Sequence, residues 1–381
     1  MNTNFITINS KCYPLDDDGG TCFTSYEVAK AAELHGFKSH VIIPSSFGTE
    51  KKISSSNISI EKVNYFTFYK RVKNLSTNCE NIIYYNCAFN MHIIITLVTL
   101  TCLRICNYKI KAKYLFSGHG SFNNSLLSSF YKKLWIKFII RSFILISKAR
   151  YLANSKGELD ELCSSLVNLK NIKYKVADNK FPSFIFENEL DILNRSKEEF
   201  LDTKFGKYIL YLGRIVPKKR LLETIDFLST NGWFDNGGLF VIAHANDDLK
   251  YLEKVNLKIK QLSLQEKVLL VGKVSGFKKW KLILNSSAFI LLSTSEGLPM
   301  TLLEADTLDL PIICTKECNY LPTSKNSIIV SNMDNNFSVQ IKSIIATNPL
   351  AYLRVSELDY KKLHTNSGFY SSFKEIFDEK Y

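Results

Sequence analysis

Short apolar runs alternate with segments whose apolar residues recur every three or four positions, and the alternation persists along most of the chain. Runs of the first kind predict strands and segments of the second kind helices, so the order as a whole predicts parallel α/β sheets. Phe5–Ile8 reads as a strand and leads into a turn-rich loop, Tyr13–Gly20. Tyr26, Val28, Ala29, Ala32 and Leu34 then follow a helical period up to Gly36, and Val41–Pro44 is the next strand. Ile82–Tyr85 precedes a helical segment around 90–105. Tyr114–Phe116 leads to Ser117-Gly-His119-Gly120, Phe130–Ser147 is a long amphipathic helix, and Tyr151–Ala153 is a strand. Ser155-Lys-Gly-Glu158 has the spacing of a capping box, opening a helix through Leu162.

A second series begins near residue 190. Tyr208–Leu212, Leu239–Ala243, Val268–Val271, Ala288–Leu292 and Leu310–Cys314 read as strands, with helices after Leu221 and around Glu304. Phe369, Tyr370, Phe373, Ile376 and Phe377 again recur at helical spacing. The 381 residues suit two domains, expected at 1–188 and 189–365, with a C-terminal helix over about 366–381.

Composition changes this picture little, and charge changes it more. The formal net charge is +13, and residues 1–190 hold 24 Lys and Arg against 14 Asp and Glu, so most of the excess is in the first half. That field attracts anions, whether phosphorylated substrates, an anionic membrane or nucleic acid. The N-terminus lacks the basic and apolar regions of a secretory signal. The most apolar stretches, Ile93–Leu103 and Ile136–Ile146, fall short of the ~18–20 residues of a spanning helix. Nine cysteines occur without C-x-x-C pairs or a His cluster, so the expectation is reduced, mostly buried thiols in a cytoplasmic protein.

The chemistry-bearing clusters all follow predicted strands, where open α/β sheets bind ligands. In Ser295-Glu296-Gly-Leu298-Pro299-Met300-Thr301-Leu-Leu-Glu304 a strand stops and a helix starts. Its first free N–H groups favour a phosphate, and the two carboxylates can accept hydroxyls of a sugar or ribose; a solvated helix residue and a loop carboxylate fit the pattern equally. Arg214 and Lys219, five apart across a loop with Pro217, suit a pyrophosphate, or are a solvated basic loop. His119, flanked by glycines, is either a ligand-facing residue or a turn residue bonded to backbone. Lys133, Lys137 and Arg141, with Lys132, Lys148 and Arg150 nearby, accompany Trp135, Phe138, Ile139 and Phe143 on one helix. They form either a membrane-facing stripe or a solvated face over a core. Asp16–Asp18 could hold a divalent cation, or is a solvated run in a turn-rich loop.

In this order the pieces resemble the retaining glycosyltransferases of family four, which have the GT-B fold: two Rossmann-like domains with parallel sheets facing a cleft. Glu296 and Glu304 with seven residues between them, followed by Ala305 and Leu310-Pro-Ile-Ile, are the specific part. Tyr211-Leu-Gly-Arg214 with Lys219, Gly19-Gly20, His119-Gly120 and Ala153-Asn-Ser155 recur in family order. The resemblance implies that Arg214 and Lys219 bind the donor diphosphate, aided by backbone at Gly20 and around Leu298, Pro299, Met300 and Thr301. It also implies that Glu304 binds the ribose, Glu296 the donor sugar near the reacting centre, and His119 the sugar from the N-terminal side. Gly19 belongs to the same donor site. The final helix would cross back onto the first domain. The implied reaction is retaining, metal-independent and cofactor-free. It moves a sugar from a nucleotide-sugar to a glycan or polyprenyl-diphosphate-linked acceptor, as in assembly of O-antigen, capsule or exopolysaccharide, in the cytoplasm or on the inner membrane face.

Three departures stand out. Arg220 and Asp309 occupy positions where relatives usually have glycine, with altered loop geometry as the expected result. Val241-Ile-Ala-His-Ala245 lacks a glycine-rich turn, which bears on the nucleotide-base pocket. Rival readings are a nucleotide-sugar 2-epimerase of the same fold, a basic nucleic-acid-binding protein and a non-catalytic scaffold. Basic residues spread over many helices without a reading motif argue against nucleic acid.

Overall fold

The computed structural model describes residues 4–12, 15, 20–54, 57–78, 81–86, 90–106, 108–118, 130–153, 159, 174–176, 206–245, 248–296, 299–324, 326–331 and 336–346. They fall into two compact units, one within Met1–Pro182 and one within Ser183–Thr365. The boundary expected at 188/189, the capping box at 155–158 and the helix expected over 366–381 lie outside the described residues.

The first unit is an eight-stranded sheet of β1 (Asn4–Ile8), β2 (Lys38–Ser45), β3 (Lys51–Ser54), β4 (Ile58–Asn64), β5 (Ile82–Tyr85), β6 (Lys113–Phe116), β7 (Arg150–Ala153) and β8 (Tyr174–Val176). Their order is β3-β4-β2-β1-β5-β6-β7-β8. Every neighbouring pair is parallel except β3 and β4, which run antiparallel. The helices are α1 (Gly20–Leu34), α2 (Tyr65–Asn78), α3 (Met91–Ile105) and α4 (Phe130–Ser147).

Because side chains alternate across a strand, the wholly apolar run Ile82–Tyr85 feeds two cores at once. Ile83 and Tyr85 pack with Phe68, Leu97 and Phe143 of α2, α3 and α4. Ile82 and Tyr84 pack with Val28, Ala31 and Ala32 of α1. Among the described residues no helix is long and apolar enough to cross a membrane.

The second unit is a six-stranded, all-parallel sheet. Its strands are β9 (Tyr208–Leu212), β10 (Leu239–Ala243), β11 (Val268–Gly272), β12 (Ala288–Leu291), β13 (Ile312–Thr315) and β14 (Ile328–Val330). The helices are α5 (Leu221–Thr230), α6 (Leu249–Gln261), α7 (Gly276–Asn285), α8 (Met300–Thr307) and α9 (Ser338–Ala346). The order β11-β10-β9-β12-β13-β14 reverses direction between β9 and β12, and there the connections leave to opposite sides and open a crevice.

One strand misses its sequence limits and three elements escape prediction, for identifiable reasons. β13 starts at Ile312, not Leu310, because the Leu310 N–H closes α8 on the Ala305 carbonyl and Pro311 has no N–H to give a ladder. β3, β4 and α2 escape the apolar pattern altogether. β4 buries the charged Glu61, and α2 is rich in the aromatic and polar residues that read as strand or loop.

Candidate functional site

In the second unit, the loops that follow β9 and β12 meet at the reversal point. β9 ends in Gly213 and the exposed Arg214, then a single 3-10 turn, Pro217–Lys219. The loop packs closely there, since a Cβ on Gly213 would come 3.0 Å from Tyr211 Oη. That hydroxyl donates to the Arg214 carbonyl at 2.6 Å and braces the loop. The Thr294 N–H from the β12 loop donates to the Lys218 carbonyl at 2.9 Å, which ties the two loops together.

Across this tie lies an ion-pair cluster. Lys219 Nζ is 2.7 Å from Glu296 Oε1 and Lys218 Nζ is 3.7 Å from Oε2. Burial pushes the Glu296 carboxyl up, but the ammoniums of Lys219 and Lys218 overcome it and hold the group below its ordinary range. Burial lowers the Lys218 ammonium, with Lys219 and Arg214 repelling it and Glu296 partly compensating. The Glu296 backbone is fixed from the other side: its N–H donates to Glu317 O at 3.0 Å, and Asn319 Nδ2 donates to its carbonyl at 2.8 Å.

Helix α8 starts directly after this loop. Pro299 is its N-cap, in extended conformation and without a capping side chain, so the leading N–H groups of Met300 and Thr301 are left for another acceptor. Glu304 lies on the second turn of α8 and is buried. Its Oε1 takes Lys279 Nζ from α7 at 3.3 Å, while Oε2 is buried with no partner. Asp306, also buried, accepts from Tyr320 Oη at 2.5 Å and from the Thr323 and Ser324 N–H groups, pinning the loop behind α8.

The structure thus brings Lys219, Glu296 and the start of α8 together around one turn, with Arg214 on the same loop as Lys219 and Glu304 farther along α8. Gly20 is the first residue of α1 in the other unit. His119, Gly19 and Leu298 lie outside the described residues, as does the Asp16–Asp18 run.

Arg220 and Asp309, which stand where relatives usually have glycine, both adopt φ of 52°, the left-handed conformation natural to glycine.

Four residues were missed by sequence reasoning. Lys218 hid beside Lys219 as one more basic residue, and Lys279 hid in a basic helix face. Asn9 and Asn86 end β1 and β5, where the order of the first sheet reverses, and both donate to the buried Ser25 Oγ of α1, at 2.5 and 2.6 Å. The visible signal was a polar residue directly after an apolar strand.

Residues 194–349 match the family described as Glycosyl transferases group 1. No curated protein matches the chain in sequence. Among solved structures, a UDP-forming α,α-trehalose-phosphate synthase from Burkholderia xenovorans, in complex with glucose-6-phosphate, is 13% identical with a TM-score of 0.67, over 98% of this chain and 99% of that one. Sucrose-phosphate synthase from Thermosynechococcus elongatus is 12% identical with a TM-score of 0.69, over 98% and 99%. HepE from Anabaena, solved with UDP and glucose, is 12% identical with a TM-score of 0.64, over 99% and 100%. At such identities the likeness is one of fold, while the match over 194–349 covers the unit that holds Arg214, Lys219, Glu296 and Glu304. Residues 194–349 are therefore similar to the glycosyl transferases group 1 family, in a chain that shares the GT-B fold of these solved structures.

Proposed function

We propose that the protein is a retaining, metal-independent glycosyltransferase. It would move a sugar from a nucleoside-diphosphate donor to a glycan or polyprenyl-diphosphate-linked acceptor in surface-polysaccharide assembly, at the inner face of a membrane. The observation that carries the catalytic part is the cationic turn of Arg214, Lys218 and Lys219 beside the open start of α8, with the unpartnered Glu304 oxygen further along that helix. The diphosphate would lie on Arg214, Lys219 and the N–H groups around Leu298–Thr301, with the backbone at Gly19-Gly20 assisting, and Glu304 Oε2 would accept a ribose hydroxyl.

The cations and the helix start supply the positive charge that a leaving diphosphate needs. As the bond from the anomeric carbon to the diphosphate oxygen breaks, the acceptor hydroxyl attacks from the same face and its proton passes to the leaving phosphate. Glu296, kept ionised by its two lysines, would contact the donor sugar, and His119 would approach it from the first unit. The UDP and glucose found on HepE make UDP-sugars the first donors to try.

The test is a thermal-shift panel of UDP-, GDP-, ADP- and CMP-sugars on the wild type, Glu304→Ala and Arg214→Ala. A donor at one hundred times its Kd stabilises the native state by about 2.7 kcal/mol. One donor should raise the wild-type midpoint and lose its effect in both variants. Transfer assays with that donor, with and without a metal chelator, would then read the anomeric configuration of the product. An inverted product, or a need for metal, would sink that part of the reading.

A further inference from the structure

Helix α3 carries two apolar faces. Ile93, Ile94, Leu97 and Leu100 are buried against the unit's core. Met91, Ile95, Val98, Cys102 and Ile105, spaced four, three, four and three apart, form a second stripe, and all five are exposed, Met91 by 66% and Ile105 by 63%. α3 packs against both α2 and α4, and these helices expose large apolar side chains of their own: Phe66 on α2, and Trp135, Phe138 and Leu145 on α4, with Trp135 67% exposed. Single exposed apolar residues are ordinary, but a helix-long stripe flanked by two helices that do the same marks an interaction surface.

The charge around this surface indicates what it meets. Between Lys62 and Gly157 the chain has fifteen Lys and Arg, and Glu80 is the one acidic residue. Exposed cations border the helices at Lys70, Lys73, Lys109 and Lys148. A second copy of the chain would set this cationic rim against itself, which disfavours self-association. An apolar ridge rimmed by cations and nearly free of carboxylates matches a layer with anionic headgroups over hydrocarbon.

We infer that the α2–α3–α4 face docks on an anionic lipid surface, with the Met91–Ile105 stripe entering the headgroup layer. The inference rests on exposure and charge and needs no property of the sugar site. If both hold, the surface brings the enzyme to a lipid-linked acceptor.

Sedimentation of the full chain with vesicles tests it without donor or acceptor, so its failure is separate from any failure of sugar transfer. The wild type should pellet with vesicles of phosphatidylglycerol and phosphatidylcholine, bind phosphatidylcholine alone far less, and weaken as salt rises from about 0.1 to 0.5 M. Ile95→Ser with Val98→Ser should cut binding to the anionic vesicles about tenfold, at an unchanged thermal midpoint. The single substitution Ile95→Glu serves as the second variant should the pair fail to fold. Equal pelleting by wild type and variants would overturn the assignment to α3. So would absence of wild-type binding, or a wild-type dimer in light scattering that the variants convert to monomer.

Discussion

Glu304 holds one carboxylate oxygen on Lys279 and leaves the other buried and unpartnered. An orphaned buried acceptor is costly unless something donates to it, and in the proposed complex a ribose hydroxyl does. Lys279 then acts through Glu304, as a positioning residue. Lys279→Met should raise KM for the donor about tenfold with kcat changed less than about twofold, and Lys279→Arg should stay near wild type. Steady-state kinetics over donor concentration separate these outcomes, and an equal fall in kcat would argue against positioning. At the same scale, the left-handed Arg220 offers a stabilising change. Arg220→Gly should gain about 0.5–1 kcal/mol in denaturant unfolding, the relief of a left-handed side chain less the entropy glycine adds to the unfolded chain.

Elements in this protein are locked to one another by a few buried contacts. Glu61 of β4 takes both guanidinium nitrogens of Arg71 on α2, at 2.6 and 3.1 Å, with Ser59 and the more distant Lys52 of β3. Burial pushes its carboxyl up, but the hydrogen bonds and charge of Arg71 prevail and leave it below its ordinary 4.5. The folded value is thus below the unfolded one, so the pair's stabilisation is complete above that range and lost as pH falls through the folded value. Glu61→Gln should cost about 1–2 kcal/mol at pH 7, with the difference from wild type vanishing in acid. In the second unit, Gly238 lies under Trp233, where a Cβ would fall 2.3 Å from the indole. Gly238→Ala should therefore destabilise by about 2–3 kcal/mol in urea titrations.

The sequence made the regular elements legible where burial makes every residue apolar, as at Ile82–Tyr85 or Ala288–Leu291, and where one helix face is, as in α4. It hid β4 and α2, because their buried apolar residues are interleaved with the Glu61–Arg71 ion pair and other polar residues that a hydropathy pattern scores as surface. The candidate site divides the same way. Glu296, Glu304, Arg214 and Lys219 follow from spacing after a strand, whereas Lys279 of α7 joins it only through its contact with Glu304 of α8, far away in the chain.

For the whole molecule, the distribution of tryptophan gives a direct readout. Of the three tryptophans, Trp233 and Trp280 are fully buried in the second unit and Trp135 is exposed in the first. Intrinsic fluorescence thus follows the second unit, whereas far-ultraviolet dichroism follows both. A bound nucleotide sugar should raise the fluorescence-detected midpoint more than the dichroic one, and equal shifts would mean that the two units unfold as one. The strand order has a further consequence in time. β9 and β12 are direct neighbours in the sheet but lie some 80 residues apart in the chain, with β10 and β11 formed in between. Closing so long a loop is entropically slow, so a nascent chain can complete the β9–β10–β11 half while its cationic turn still has no glutamate to meet. Contact between Lys219 and Glu296 is therefore expected late in folding, and a label on that pair would time the moment at which the two halves of the sheet close on each other.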